Sequence, residues 1–256
     1  MKTKPKALIL SGYGLNCEEE TKFAFDSAGG VAEIVHINDL IENKKLLKKF
    51  QILAVPGGFS YGDDTGSGKA YANKLKNHLL PELIAFTERD TLTIGICNGF
   101  QILTQLGLLP GALIHNDSAR YIDRWVDLKA EGSSPWLSGI EKISLPIAHG
   151  EGKYIAPDAT LKKLKDMSSI AWKYIKGEMC EYQNLPTNPN GAMDNIAGVL
   201  AGNGRILGMM PHPERAMFMT QLPNFHLKKD FMCRQNKKLA TYGQGFQIFK
   251  NAVDYF

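Results

Sequence analysis

Leu92-Thr93-Ile94-Gly95-Ile96-Cys97-Asn98-Gly99-Phe100-Gln101 passes from an apolar β-type run through Gly-x-Cys-x-Gly straight into a helical pattern. That order spells a strand, a tight turn and a helix, with a thiol at the apex. Gly95 and Gly99 flank the cysteine as glycines flank the nucleophile of a hydrolase elbow, where the turn admits little else and pushes the side chain out above the sheet edge. The start of the following helix adds unpaired N–H groups and a positive dipole end, both of which favour thiolate over thiol. The same letters also fit a free core cysteine between two ordinary turn glycines, because cysteine is among the most buried residue types.

Working outward, the flanking segments predict an α/β fold. Lys6 to Leu10 is a short aliphatic strand, Glu18 to Ala28 has helical spacing, and Ala32 to Ile37 reads as a second strand, so the β-α-β order predicts a parallel sheet. Gln51 to Val55 gives a third strand. Tyr71 to Arg89 reads as helix interrupted at Pro81, and it leads back to the elbow. Beyond it, Ala112 to His115, Tyr121 to Lys129 and Lys142 to Ala148 alternate apolar with polar residues, the pattern of half-buried antiparallel strands extending the sheet. Ile196 to Ala201 and Arg205 to Met210, joined through Gly202-Asn203-Gly204, form a hairpin, and Gln244 to Phe256 closes the chain as an amphipathic helix. The expected architecture is an open, mostly parallel, flavodoxin-like sheet flanked by helices, with an antiparallel extension. Residues 1–256 are expected to form a single domain, with an extra basic surface segment at 216–240.

Composition narrows the class of function. Hydrophobic residues at 44% and charged residues at 22% are ordinary globular values. The net charge of +4 is spread over lysine pairs beside apolar residues, as on solvated helix faces, and no aromatic-interleaved basic stripe argues for nucleic acid. Met1-Lys2-Thr3-Lys4-Pro5-Lys6 leads into an apolar run too brief for a signal sequence or a membrane span, so a cytoplasmic protein is expected. Cysteines 17, 97, 180 and 233 form no C-x-x-C pair, which suggests neither a metal site nor a disulfide framework. Gly12-Tyr13-Gly14 fails as a dinucleotide fingerprint because Cys17 stands where the third glycine is needed. Gly66-Ser67-Gly68-Lys69 fails as a phosphate loop because Asp63 and Ala70 occupy required positions.

Two further stretches complement the thiol. Pro211-His212-Pro213-Glu214-Arg215 ends the hairpin's second strand; in an extended segment His212 and Glu214 alternate onto one side, a base and the carboxylate that orients it. Taken alone, His-x-Glu serves structure as readily as chemistry. Pro56-Gly57-Gly58-Phe59 ends another strand in a Gly-Gly turn able to aim N–H groups outward. Together they compose a Cys-His-Glu acyl-transfer machine of Cys97, His212 and Glu214, with the backbone N–H groups of Gly58 and Asn98 as oxyanion hole. Gln101, one helical turn beyond the cysteine, either contacts a substrate or is simply exposed. His149-Gly150-Glu151 is a second loop with a histidine and an acid, more readily structural than catalytic.

These motifs resemble class I, triad-type glutamine amidotransferases. Finer matches, Pro56 to Asp63, Ala148-His149-Gly150-Glu151-Gly152-Lys153-Tyr154, Asn188-Pro189-Asn190-Gly191 and Gly208-Met209-Met210, resemble the glutaminase subunits of phosphoribosylformylglycinamidine synthase in purine biosynthesis. The likeness runs from about Lys6 to Arg215 and resumes near Gly243. It implies that glutamine is hydrolysed to glutamate and ammonia through a glutamyl thioester. The ammonia then passes to a large synthetase subunit that converts formylglycinamide ribonucleotide to formylglycinamidine ribonucleotide with ATP. No cofactor is then expected in this chain, ATP and Mg²⁺ belonging to the partner, and a small third subunit is a further candidate partner. The resemblance also assigns glutamine binding to Gln101, Asn116, Ser118 and Arg120. The run Asp64-Thr65-Gly66-Ser67-Gly68-Lys69 is closer to the long, fused form of the enzyme, and residues 216–240 exceed the usual short form. Two rival readings are a stand-alone cysteine hydrolase on the same fold, which would not need Pro-His-Pro-Glu, and a non-catalytic binding subunit, which would not need a complete triad.

Overall fold

The computed structural model describes residues 4–63 and 66–256; Met1, Lys2 and Thr3 of the N-terminal lead and Asp64-Thr65 of the run quoted above lie outside the described residues. The first half of the chain alternates strand and helix: β1 (Lys6–Ser11), α1 (Glu18–Ser27), β2 (Val31–His36), α2 (Ile37–Glu42), β3 (Ile52–Val55), α3 (Lys69–Glu88), β4 (Leu92–Ile96) and α4 (Asn98–Gln105). The second half continues with β5 (Ala112–Ile114), β6 (Ile122–Ala130), β7 (Lys142–His149), β8 (Lys153–Ile155), α5 (Asp158–Asp166), β9 (Ile170–Ile175), α6 (Glu178–Gln183), β10 (Ile196–Ala201), β11 (Ile206–Met209), α7 (Phe225–Arg234) and α8 (Phe246–Asp254).

A nine-stranded sheet in the order β2-β1-β3-β4-β11-β10-β9-β6-β7 forms the centre. The five strands from β2 to β11 pair in parallel, and β11 then turns back through β10 into an antiparallel extension of β9, β6 and β7. Composition follows this division. Strands β3 and β4 are buried at every residue because helices cover both faces, whereas β7 alternates buried with half-buried residues, as a sheet with one wetter face should. The closing helix docks on the first one through Phe249 against Phe25, an edge-to-face pair with ring centroids 5.0 Å apart.

Two sequence expectations need correction. Ala112–Ile114 does not join the main sheet but pairs with β8 in a separate two-stranded ribbon, since three alternating residues define a strand without defining its neighbour. Helix α3 runs unbroken through Pro81. The proline removes the bond to the carbonyl of Asn77, but that residue is exposed and water can satisfy the freed group. Segment 216–240, expected as an extra basic surface segment, contains the ten-residue helix α7, tied to α6 by Lys228 and Glu178 at 2.7 Å. No helix among the described residues is long and apolar enough to cross a membrane.

Candidate active site

Cys97 sits between β4 and α4 with φ 50° and ψ −106°, a backbone conformation that costs a non-glycine residue of the order of 1–3 kcal/mol. Its glycine neighbours explain how the strain persists. A Cβ on Gly99 would lie 1.8 Å from the carbonyl oxygen of Val55, and one on Gly95 would lie 2.6 Å from the carbonyl oxygen of Gly99. The start of α4 is thus pressed onto the ends of β3 and β4, and the turn between them has no slack. The Cys97 N–H donates to the carbonyl of Met209 at 2.8 Å, pinning the elbow to the end of β11. Three residues on from that carbonyl stands His212.

The histidine and the glutamate do meet, but not by strand alternation. The His212 N–H donates to the Pro146 carbonyl at 2.8 Å, and Pro213 then opens a one-turn 3-10 helix, Pro213–Arg215, that folds Glu214 back onto the ring. Proline at the first position suits such a turn because its fixed φ is already helical. The His212 Nδ1 lies 2.5 Å from Glu214 Oε1, with the two residues 2% and 3% exposed. The carboxylate therefore fixes Nδ1 as the donating nitrogen and leaves Nε2 to act as base. Burial lowers the basicity of the imidazole, but Glu214 and then the Cys97 thiol outweigh it and hold the ring well above the usual histidine range. Nε2 is buried without a hydrogen bond of ordinary geometry, an open valence in the middle of the site.

The Cys97 thiol leans on the Ala148 carbonyl, 3.7 Å away, and is 5% exposed. It faces a cavity of about 280 Å³ lined also by Gly58, Gln101, Arg120, Tyr121 and Glu151. The sulfur is thus buried in the wall of a cavity and does not stand free above the sheet edge. A larger cavity of about 430 Å³ lies between the α4–β5 loop, α5 and the β10–β11 hairpin and shares no lining residue with it. Gly58 lines the thiol's cavity; a Cβ there would lie 2.4 Å from the Gly14 carbonyl oxygen, so the turn accepts only glycine.

The residues assigned to glutamine by resemblance divide into two groups. Arg120 lines the cavity. Ser118 does not; its Oγ accepts from the Arg120 N–H at 3.3 Å. Gln101 lines the cavity, but its Oε1 accepts from Asn98 Nδ2 at 2.7 Å and its Nε2 donates to the Glu151 carbonyl at 2.5 Å. Asn116 is more fully committed. Its Nδ2 donates to the carbonyls of Arg120 and His149, both at 2.9 Å, and its Oδ1 accepts from the Gly152 N–H and from His149 Nδ1, both at 3.1 Å. This amide staples the 116–120 loop to the 149–152 loop. Burial holds His149 neutral, its pKa pushed down to about 3.

Sequence reasoning missed one close neighbour of the dyad. The Cys17 sulfur lies with a His212 ring nitrogen and a Glu214 oxygen, all within 4.8 Å of one another, and all three residues are buried. Arg215 Nη2 donates to that sulfur at 3.0 Å. In the sequence Cys17 stands only as the residue that spoils a glycine fingerprint, and no local pattern marks it.

A family model described as the CobB/CobQ-like glutamine amidotransferase domain matches residues 4–256. The chain is 45% identical to "Phosphoribosylformylglycinamidine synthase subunit PurQ" of Methanococcus maripaludis strain C7, covering 100% of this chain and 99% of the relative. It is 39% identical to the protein of the same description from Dehalococcoides mccartyi, covering 99% and 98%. Among solved structures it resembles a chain of "PurLQS from Thermotoga maritima", with TM-score 0.75, 31% identity and 99% of both chains covered.

Proposed function

Since the chain belongs to the CobB/CobQ-like glutamine amidotransferases, among the PurQ subunits of phosphoribosylformylglycinamidine synthase, we propose that Cys97, His212 and Glu214 are the triad with which it hydrolyses glutamine. The observation that carries this reading is the dyad's asymmetry: Nδ1 of the His212 ring is held by Glu214 at 2.5 Å, while Nε2 has no hydrogen bond and the ring interacts with the Cys97 thiol, which lines a cavity.

Nε2 of His212 takes the Cys97 proton, and the thiolate attacks the side-chain carboxamide carbon of glutamine. The backbone N–H groups of Gly58 and Asn98 hold the oxyanion, where loss of one donor costs on the order of 100-fold or more. His212 returns its proton to the departing nitrogen, ammonia leaves, and a glutamyl thioester remains. The imidazole then activates water, which cleaves the thioester to glutamate and regenerates the thiol. Glu214 holds the ring and balances the imidazolium. Arg120 is the cation in the cavity wall suited to the substrate's α-carboxylate, while Asn116, Ser118 and Gln101 hold the wall in shape. The ammonia passes to the synthetase subunit, which binds ATP and Mg²⁺ and converts formylglycinamide ribonucleotide to formylglycinamidine ribonucleotide; a small third subunit is a further candidate member of the complex. We place the chain in the cytoplasm, where its free thiols stay reduced.

The test is reconstitution with the synthetase subunit. Cys97→Ser abolishes glutamine-driven synthesis and spares synthesis fed with ammonium. Loss of both would mark the cysteine as structural and overturn the assignment. The chain alone is expected to turn glutamine over slowly, and brisk glutaminase activity without the partner would argue against coupling between the subunits.

A further inference from the structure

The mechanism above leaves one buried thiol beside the triad without a task. Cys17 is fully buried at the start of α1, and its position is over-determined. Its N–H donates to the Gly57 carbonyl at 3.2 Å, and its carbonyl accepts from both the N–H and the Oγ1 of Thr21, at 3.1 and 2.6 Å. Its sulfur accepts from Arg215 Nη2 at 3.0 Å and lies 3.4 Å from Asn16 Oδ1. The guanidinium is itself anchored outward, with Nε 3.7 Å from Glu20 on α1. Gly57 leaves the gap in which sulfur and imidazole meet: a Cβ there would lie 2.7 Å from His212 Cε1 and 3.1 Å from Cys17 Sγ.

We propose that Cys17 is a positioning residue for the catalytic imidazole: its thiol, gripped by Arg215, packs against the His212 ring outside the substrate cavity and keeps it aligned between Glu214 and Cys97. The proposal rests on the triad reading. A ring tethered at one nitrogen can still swing about that bond, and a second contact removes the freedom. Cys17 does not line the substrate cavity, so its effect on glutamine must pass through His212. Sulfur suits the place because it is large enough to fill the gap, and it accepts from a cation while competing only weakly with Glu214 for the ring proton.

The same three side chains have the donor set of a metal site, yet two features oppose one. The 2.5 Å bond between His212 and Glu214 would have to open, and a cation bound by the sulfur would face the Arg215 charge already donating to it. The titratable or charged groups acting on the His212 ring or its surroundings are Glu214, Cys97, Cys17, Arg215, His149 and Tyr121. Removing Cys17 changes one of these and leaves the others in place.

The experiment compares wild type, Cys17→Ala and Cys17→Ser in the full chain reconstituted with the synthetase subunit. For Cys17→Ala the glutamine-driven kcat falls about 10-fold, less than the roughly 100-fold that a 1 Å misplacement costs. KM for glutamine stays within about 2-fold and ammonium-driven synthesis is unchanged. The rate at which iodoacetamide alkylates Cys97 at fixed pH, read by mass spectrometry of the peptide containing it, falls several-fold, because a misaligned imidazole supports the thiolate less well. Cys17→Ser, with a shorter bond to its polar atom, falls between the two, and it carries the test if the alanine variant does not fold. An unaltered kcat and alkylation rate would overturn the proposal, as would a rise in KM at unchanged kcat. A wild-type complex that runs on ammonium but not on glutamine would instead bring down the triad reading beneath it.

Discussion

The triad and the loop pair beside it are built to opposite plans. Around His212 the polar groups are few and deliberately unsaturated: Nε2 of the imidazole and Oε2 of Glu214 are buried without hydrogen bonds. In the 116–120 and 149–152 loops most polar groups pair with one another, Asn116 alone taking four contacts and Gln101 a further two, with His149 Nε2 the buried exception. An unpaired buried group is costly, and at His212 a reacting atom can later supply the missing partner. A paired one defines shape. Substitutions in the first region should therefore remove turnover at little cost to folding, and those in the second should cost stability and substrate affinity first.

The largest expected effect is His212→Gln, which keeps a polar side chain of similar reach but no base. Glutamine-driven synthesis should fall by at least on the order of 10⁴-fold, with the unfolding midpoint close to that of wild type. Substantial residual activity would place the base elsewhere. Glu214→Gln comes next. The amide still fits beside Nδ1 but no longer enforces the tautomer or balances the imidazolium, and a loss on the order of 10³-fold in kcat is expected with KM nearly constant. A collapse in stability with either variant would break the comparison, because it would make the dyad a structural pair.

Asn116→Ala should behave in the opposite way. It strips partners from two loops at once and leaves buried groups unpaired at about 1–3 kcal/mol each, so urea unfolding should show a loss of about 3 kcal/mol. With the loop released, Arg120 loses its fixed place in the cavity wall. KM for glutamine should rise about 10-fold while kcat changes less, and a fall in kcat alone would give Asn116 a catalytic task instead.

The two regions also differed in how far the sequence disclosed them. The elbow was legible because close approach leaves glycine no substitute at 95 and 99, and a backbone constraint of that kind writes itself into the residue type. His212 and Glu214 were legible as types, but the sequence supplied the wrong geometry, since a 3-10 turn and not strand alternation joins them. At Asn116 and Gln101 the letters show a polar group near the site without showing which way its amide faces. Cys17 was beyond reach. It meets His212 only because the loops after β1 and β3 cross behind the histidine, and nothing local records a meeting of three separate strand ends.

The smallest effect sharpens the contrast through pH. His149 is neutral in the folded chain, with its pKa lowered from the model-compound value of 6.5 to about 3 by burial first and by His212 next. The unfolded chain binds this proton below about pH 6.5 and the folded chain does not, so the contribution to stability is complete above that pH and drains away as pH falls. Between pH 6.5 and 5 the loss is about 2 kcal/mol. His212 has the reverse sign: its pKa is raised on folding, so its contribution is complete below about pH 6.5 and is lost as pH rises through the folded value. The acid window therefore isolates the loop histidine from His212. His149→Gln can keep the donor to Asn116 while removing the titration. Its unfolding free energy should fall by about 2 kcal/mol less than that of wild type between pH 6.5 and 5. Parallel acid limbs for the two proteins would mean that His149 is protonated where it stands, and that burial does not hold it neutral in the loop pair.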